Sequence, residues 1–178
     1  GDGHFITNIV ASTRIAVDLS PHVLELQNKG IDVHVVAATD FTKVVREPVD
    51  VIFMSNFLEH LPTKQVLLSV LEECHRALKP GGMVLILQPN IRYVGPAYWD
   101  YIDHHIALTE HSLSEALSIT GYEVVELIPK FLPYTAKSML GNLTGAKSFS
   151  WLISLYLSVP FLWKIFGKQT FVAAKAVK

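Results

Sequence analysis

The chain has 178 residues, 15 Lys+Arg against 16 Asp+Glu, and a net charge of −1. That length suits one domain with a real core, and the balanced charge argues against an electrostatic nucleic-acid binder. Half the residues are hydrophobic and 17% charged, which excludes a disordered chain. The single cysteine, Cys74, excludes a disulfide framework and a multi-cysteine zinc site, and points to a reducing compartment. Gly1-Asp2-Gly3-His4 has neither the basic start nor the apolar run of a secretion signal, so a cytoplasmic location is expected.

In chain order, strand-like and helix-like segments alternate. Ile15-Ala16-Val17 is a short apolar run closed by Asp18. Ser20-Pro21 opens a helix with a favoured N-cap and first residue, and Gly30 ends it. Val33 to Ala38 reads as a strand, and Val49 to Ser55 as a buried one. Thr63 to Leu78 is an amphipathic helix with the stripe Leu67, Leu71, Cys74, Leu78. Lys79-Pro80-Gly81-Gly82 breaks it, and Met83 to Leu87 is another buried strand. Ser112-Leu113-Ser114-Glu115 has capping-box spacing for a helix ending at Gly121. Tyr122 to Ile128 and Gln169 to Val177 read as the last strands. Strands separated by helices imply an α/β fold with a mostly parallel sheet. One domain over residues 1–178 is expected, with a helical insertion at 130–168.

Phe149 to Phe166 carries a dozen apolar side chains and one charge, Lys164. A membrane-crossing helix needs roughly 20 apolar residues, and this run is interrupted by Pro160. The expectation is two short helices packed on protein, with peripheral membrane contact as the lesser reading.

In an open parallel sheet, ligands bind outside the carboxyl ends of the strands. Those ends carry Asp18, Asp40, Ser55-Asn56 and Gln88-Pro89-Asn90, and Gly1-Asp2-Gly3 offers a turn that lets backbone approach a ligand. Asp18 stands at about the distance from these glycines at which an acidic residue meets ribose hydroxyls in nucleotide-binding βαβ units. It also suits a simple helix cap. Asp40 suits a turn as well as a ligand, and His60 suits a structural hydrogen bond as well as general base work. Asp103-His104-His105 with His111 suggests a metal, but adjacent histidines rarely face one ion and no second well-spaced ligand set follows, so no metal is expected. Tyr93, Tyr98, Trp99 and Tyr101 suit an acceptor pocket or core equally.

Five motifs in register resemble the class I S-adenosylmethionine-dependent methyltransferases: Gly1-Asp2-Gly3-His4-Phe5, Val17-Asp18-Leu19-Ser20-Pro21, Thr39-Asp40-Phe41, Asp50 through Pro62, and Arg76 through Gly82. The resemblance runs to about Ile128 and implies a Rossmann-like fold with an antiparallel last strand. It implies S-adenosyl-L-methionine contacts at Gly1, Gly3, Asp18, Leu19, Asp40, Phe41, Ser55 and Asn56, with His60, His104 and His105 as candidate bases. The acceptor it implies is small or lipid-like. The family's first strand precedes its glycine loop, whereas this sequence starts inside the loop, so unpaired edges and a homo-oligomer are expected. The alternatives are a scaffold without cofactor binding and a nicotinamide-dependent oxidoreductase. Against the latter stands the incomplete GxGxxG pattern.

Overall fold

The computed structural model describes residues 3–134 and 150–178. The strands among them are β1 (Ile15–Asp18), β2 (Asp32–Val35), β3 (Val49–Ser55), β4 (Leu78–Pro89), β5 (Tyr122–Ile128) and β6 (Gln169–Ala176). The α-helices are α1 (His4–Asn8), α2 (Lys64–Ala77), α3 (Ile91–Val94), α4 (Glu110–Ile119), α5 (Ser150–Ser158) and α6 (Pro160–Phe166).

The strands form two sheets. β1 and β2 pair in parallel, and the larger sheet has the order β3-β4-β6-β5. β3 and β4 are parallel, and β6 is antiparallel to both its neighbours. The antiparallel last strand is as expected. Among the described residues, β1 and β3 share no backbone hydrogen bond. The sheets are joined through side chains instead. Leu71, Leu78, Val84, Ile86, Leu117 and Val172 are fully buried in the main core, and Ile15 and Val17 of β1 pack against it. A smaller cluster of Val23, Leu26, Ile31 and Val33 lies under β1–β2, with Ile6 of α1 packed on it.

Local chemistry explains most boundaries. Thr63 caps α2 by accepting from the Val66 N–H, and Leu67, Leu71 and Cys74 are buried as their spacing requires. Burial pushes the Cys74 thiol up to about 12, so it packs as a small apolar group. Pro160 occupies the first turn of α6, which divides the apolar run into two short helices. No described helix is long and apolar enough to cross a membrane.

Five expectations are corrected. Pro21–Lys29 winds as a 3₁₀ helix rather than an α-helix, with Val23 N–H donating to the Ser20 carbonyl at 3.1 Å; its caps at Ser20 and Gly30 are as expected. β2 stops at Val35, because its partner β1 ends at Asp18; the Val36 N–H, donating to the Asp18 carbonyl at 3.1 Å, makes the last bond of that ladder. α4 begins at Glu110, not near Ser112, because Thr109 and Ser112 exchange side-chain-to-backbone hydrogen bonds as the capping box. β3 is not buried: Val51 is 52% exposed, so the face of β3 that carries it is only partly covered. The Lys79–Gly82 turn is absorbed into β4 as a register shift, Val49 facing Leu78 and Val51 facing Met83.

Candidate active site

The parallel strands β3 and β4 open at their carboxyl ends into Asn56 and Asn90. Asn56 has φ of 47°, the one non-glycine residue with positive φ among those described, and its N–H donates to the Leu87 carbonyl at 2.9 Å. Asn tolerates this left-handed geometry better than most residues, and such outliers gather at ligand sites. The chain then makes a short 3₁₀ turn at Leu58–His60, with Leu58 and Glu59 buried and His60 at the rim. The Glu59 carbonyl accepts from the N–H groups of His105 (2.8 Å) and Ile106 (3.2 Å). This tether brings the loop around residues 101–106 against the turn after β3.

The result is a polar cluster of Glu59, His60, Asp103 and His104. His60 Nδ1 lies 3.1 Å from the Asp103 carbonyl oxygen and 3.2 Å from its Oδ2. His60 Nε2 lies 3.8 Å from Glu59 Oε1. His104 Nδ1 lies 2.7 Å from the Tyr98 carbonyl. A carbonyl only accepts, so each Nδ1 carries the hydrogen, and each neutral ring keeps a lone pair on Nε2. The two rings meet edge-on at 5.1 Å. The Glu59 side chain is 1% exposed, and its Oε2 has no hydrogen-bond partner among the described residues. Burial pushes its carboxyl up to about 7, against the lowering by its own N–H and by His60.

Beside the cluster lies a cavity of about 370 Å³, lined by Tyr101, Pro133, Tyr134, Ile165, Phe166 and Lys168 among others. Tyr101 joins the two: its ring is 5.2 Å from His104 and 6.2 Å from Tyr134. The Tyr134 hydroxyl has no hydrogen-bond partner among the described residues. Helices α5 and α6 roof this end of the sheet. Tyr156 donates to the Phe131 carbonyl at 2.6 Å, Trp163 to the Tyr156 carbonyl at 2.8 Å, and the Trp163 ring meets Phe131 at 5.0 Å. Their outer face leaves Leu155, Leu157 and Phe161 exposed. Of the other aromatic candidates, Tyr98 is core, donating to the Ile106 carbonyl at 2.5 Å, Trp99 is half exposed, and Lys130 lies over the Tyr93 ring.

The residues expected around a cofactor fall as follows. Gly1 lies outside the described residues. Gly3 has φ of 68°, and a Cβ there would come within 2.5 Å of Leu26 Cδ2, so the turn into α1 needs glycine. Asp18 accepts from the Ser20 N–H at 2.9 Å, and Ser20, not Asp18, caps the next helix. Partial burial raises the Asp18 carboxyl, the Ser20 and Leu19 N–H groups are among the contacts that lower it, and the net position is below the usual carboxylate range. The Leu19 side chain is 70% exposed. Asp40 pairs with Lys43 at 2.5 Å and accepts from the Thr39 hydroxyl at 3.1 Å. Phe41 puts its ring in the core, so only its backbone is placed to meet a ligand. Ser55 and Asn56 are exposed at the end of β3.

Among the base candidates, the structure joins His60 and His104 but leaves His105 exposed and outside the cluster. His111 is also outside it, near Glu110 at 3.5 Å. Sequence reading assigned no role to Glu59. Its one signal is a carboxylate set between Leu58 and the rim His60 in an otherwise apolar Phe57–Leu61 stretch.

Residues 1–84 match the family model described as "Methyltransferase domain". No curated protein sequence matches the chain. The fold is shared with a S-adenosylmethionine-dependent methyltransferase from Archaeoglobus fulgidus, at a TM-score of 0.63 and 18% identity over 90% of this chain and 75% of that one. It is shared with the N-methyltransferase NodS of Bradyrhizobium japonicum WM9, solved with S-adenosyl-L-homocysteine, at a TM-score of 0.64 and 13% identity over 98% and 72% of the two chains. The [4+2]-cyclase SpnF has the same fold, at a TM-score of 0.63 and 17% identity over 99% and 72%.

Proposed function

We propose that this chain is a class I S-adenosylmethionine-dependent methyltransferase, a reading supported by the family model over residues 1–84 and by the shared fold, and that it binds that cofactor between the Gly3 turn and the strand ends at Asp18 and Asn56. It transfers the methyl group to a small-molecule acceptor seated in the cavity beside Tyr101 and Tyr134. The observation that carries this reading is the Tyr101 ring, which lines the cavity and lies within 5.2 Å of the His104 ring, so that the cavity is one aromatic side chain away from the imidazole cluster.

The sulfonium already carries an activated methyl group, so alignment of donor and acceptor supplies much of the acceleration. The protein's part is to hold the donor by its ribose at Asp18 and its amino-acid end near Ser55 and Asn56, and to shield the acceptor under α5 and α6. An acceptor hydroxyl or amine must lose a proton, and the Nε2 lone pairs of His60 and His104 are the groups placed to take it. His105 is too exposed for that part. A lipid-like acceptor is the second reading. It is favoured by Ile165 and Phe166, which line the cavity while remaining about half exposed, so an alkyl chain can leave along them. The position of β3 at the end of the larger sheet, unpaired on one side among the described residues, supports self-association of the chain.

The test is calorimetric titration with S-adenosyl-L-homocysteine and, separately, NAD. Saturable binding of the first alone is expected, followed by S-adenosyl-L-homocysteine release from S-adenosyl-L-methionine with acceptors of graded alkyl length. Binding of NAD alone would support the oxidoreductase reading. Binding of neither, by a folded sample, would leave a scaffold. SpnF shows that this fold also hosts another reaction, so binding without methyl transfer would point away from a methyltransferase.

A further inference from the structure

We infer that Glu59, His60 and His104 form a binding site for one divalent transition-metal ion, with Asp103 and the Tyr98 carbonyl as its outer shell. The inference stands on these side chains and does not depend on methyl transfer; while an ion is held, both imidazole lone pairs are engaged and neither ring serves as the base.

The potential ligand atoms of the three residues all lie within 4.8 Å of one another. Ligands about 2.1 Å from one ion stand roughly 3–4 Å apart, so the three atoms need to draw in by about an ångström, within the reach of side-chain rotation. Each imidazole is already oriented as a metal-bound histidine is. His60 directs its Nδ1–H at Asp103 and His104 directs its own at the Tyr98 carbonyl, which leaves both Nε2 lone pairs available.

The carboxylate supplies an independent sign. Glu59 is 1% exposed, yet its Oε2 has no hydrogen-bond partner among the described residues. Buried carboxylate oxygens are almost always hydrogen-bonded, paired or metal-bound, because leaving one bare costs free energy. A cation between Glu59 and the two imidazoles removes that cost. Two imidazoles and one carboxylate suit iron(II), manganese, cobalt or zinc better than calcium or magnesium, which prefer all-oxygen shells. Asp103 and His60 could instead form a simple ion pair, and the test separates the two.

The full chain, freed of metal with a chelator and dialysed, is titrated with Co²⁺ by visible absorption and with Zn²⁺ by calorimetry. One ion per chain is expected, with d–d bands indicating nitrogen and oxygen ligands. His104→Ala and Glu59→Gln abolish the bands, and Asp103→Asn weakens binding roughly 10- to 100-fold, as loss of an outer-shell partner does. His111→Ala leaves binding unchanged. Circular dichroism checks that each variant is folded, and should His104→Ala not fold, the Asp103→Asn and His111→Ala pair still decides. Absence of stoichiometric binding, or binding that Glu59→Gln and Asp103→Asn leave intact, overturns the site. The readout needs neither cofactor nor acceptor, so its failure is distinct from failure to bind S-adenosyl-L-homocysteine.

Discussion

The ring of Phe5 lies against the ring of Phe53, with centroids 3.9 Å apart and planes at 26°. Phe5 follows the Gly3 turn and Phe53 is in the middle of β3, so this stack ties the turn to a strand with which β1 shares no ladder. Gly3 meets Leu26 on its other side. Helix α1 therefore links the small sheet to the large one.

Phe5→Ala should loosen that link. An aromatic pair is worth about 0.5–1.5 kcal/mol, so a small fall in melting temperature is expected. The larger effect should be on S-adenosyl-L-homocysteine, whose affinity falls as the Gly3 turn is released. Calorimetry that finds full affinity alongside a lowered melting temperature would show that the turn holds its place without Phe53.

Asp18 offers a second test. Its carboxylate lies below the usual range, with the Ser20 N–H among the groups that lower it, so it is charged at neutral pH and fit to accept from ribose hydroxyls. Asp18→Ala should weaken S-adenosyl-L-homocysteine by about 2–3 kcal/mol. Asp18→Asn keeps an oxygen for the Ser20 N–H and should weaken binding less. Unchanged affinity in both variants rules out the ribose assignment.

Asn90 is a stability prediction. Its amide donates to Glu110 Oε2 at 2.7 Å and to the Thr170 hydroxyl at 2.8 Å, and its Oδ1 accepts from the Arg92 N–H at 3.0 Å. It is 1% exposed and joins α3, α4 and β6. Asn90→Ala leaves the buried Glu110 carboxylate short of a donor and should destabilise the fold by about 2–3 kcal/mol. Urea unfolding measures it. A loss well under 1 kcal/mol would mean that water replaces the amide.

Glu73 sets a pH dependence. The residue is 3% exposed, and burial alone would raise its carboxyl. The hydroxyl and N–H of Thr42 and the guanidinium of Arg76 reverse this and hold it below the usual 4.5. A carboxyl lowered in the folded state stabilises fully above its unfolded value and ceases to do so as pH falls through its folded value. Melting temperature should therefore decline below pH 4.5, and Glu73→Gln should flatten that decline while lowering stability at pH 7. Parallel curves for the two proteins would refute it.

The fold was largely legible in local chemistry. Thr63, Ser20, Gly30 and Pro160 mark ends because caps, left-handed glycines and proline act within one turn of chain. The periodic stripe of α2 is legible for the same reason. The exposure of Val51 was not, because an apolar strand reads alike whether one or both of its faces are covered. Asp18, Asn56 and His60 could be singled out by their place after apolar runs.

The sequence by itself determined the succession of elements, the reading of the Gly3 turn and the family resemblance, all of which rest on residues close in the chain. Only the tertiary structure decided that His60 meets His104, that Glu59 joins them and that His105 does not. Glu59 and His60 lie more than 40 positions from His104 and His105, and what unites the two stretches is the pair of hydrogen bonds from His105 and Ile106 to the Glu59 carbonyl. Backbone N–H and C=O groups are the same at every position, so their pairing leaves no mark on side-chain pattern, and the site they assemble is read only from the folded chain.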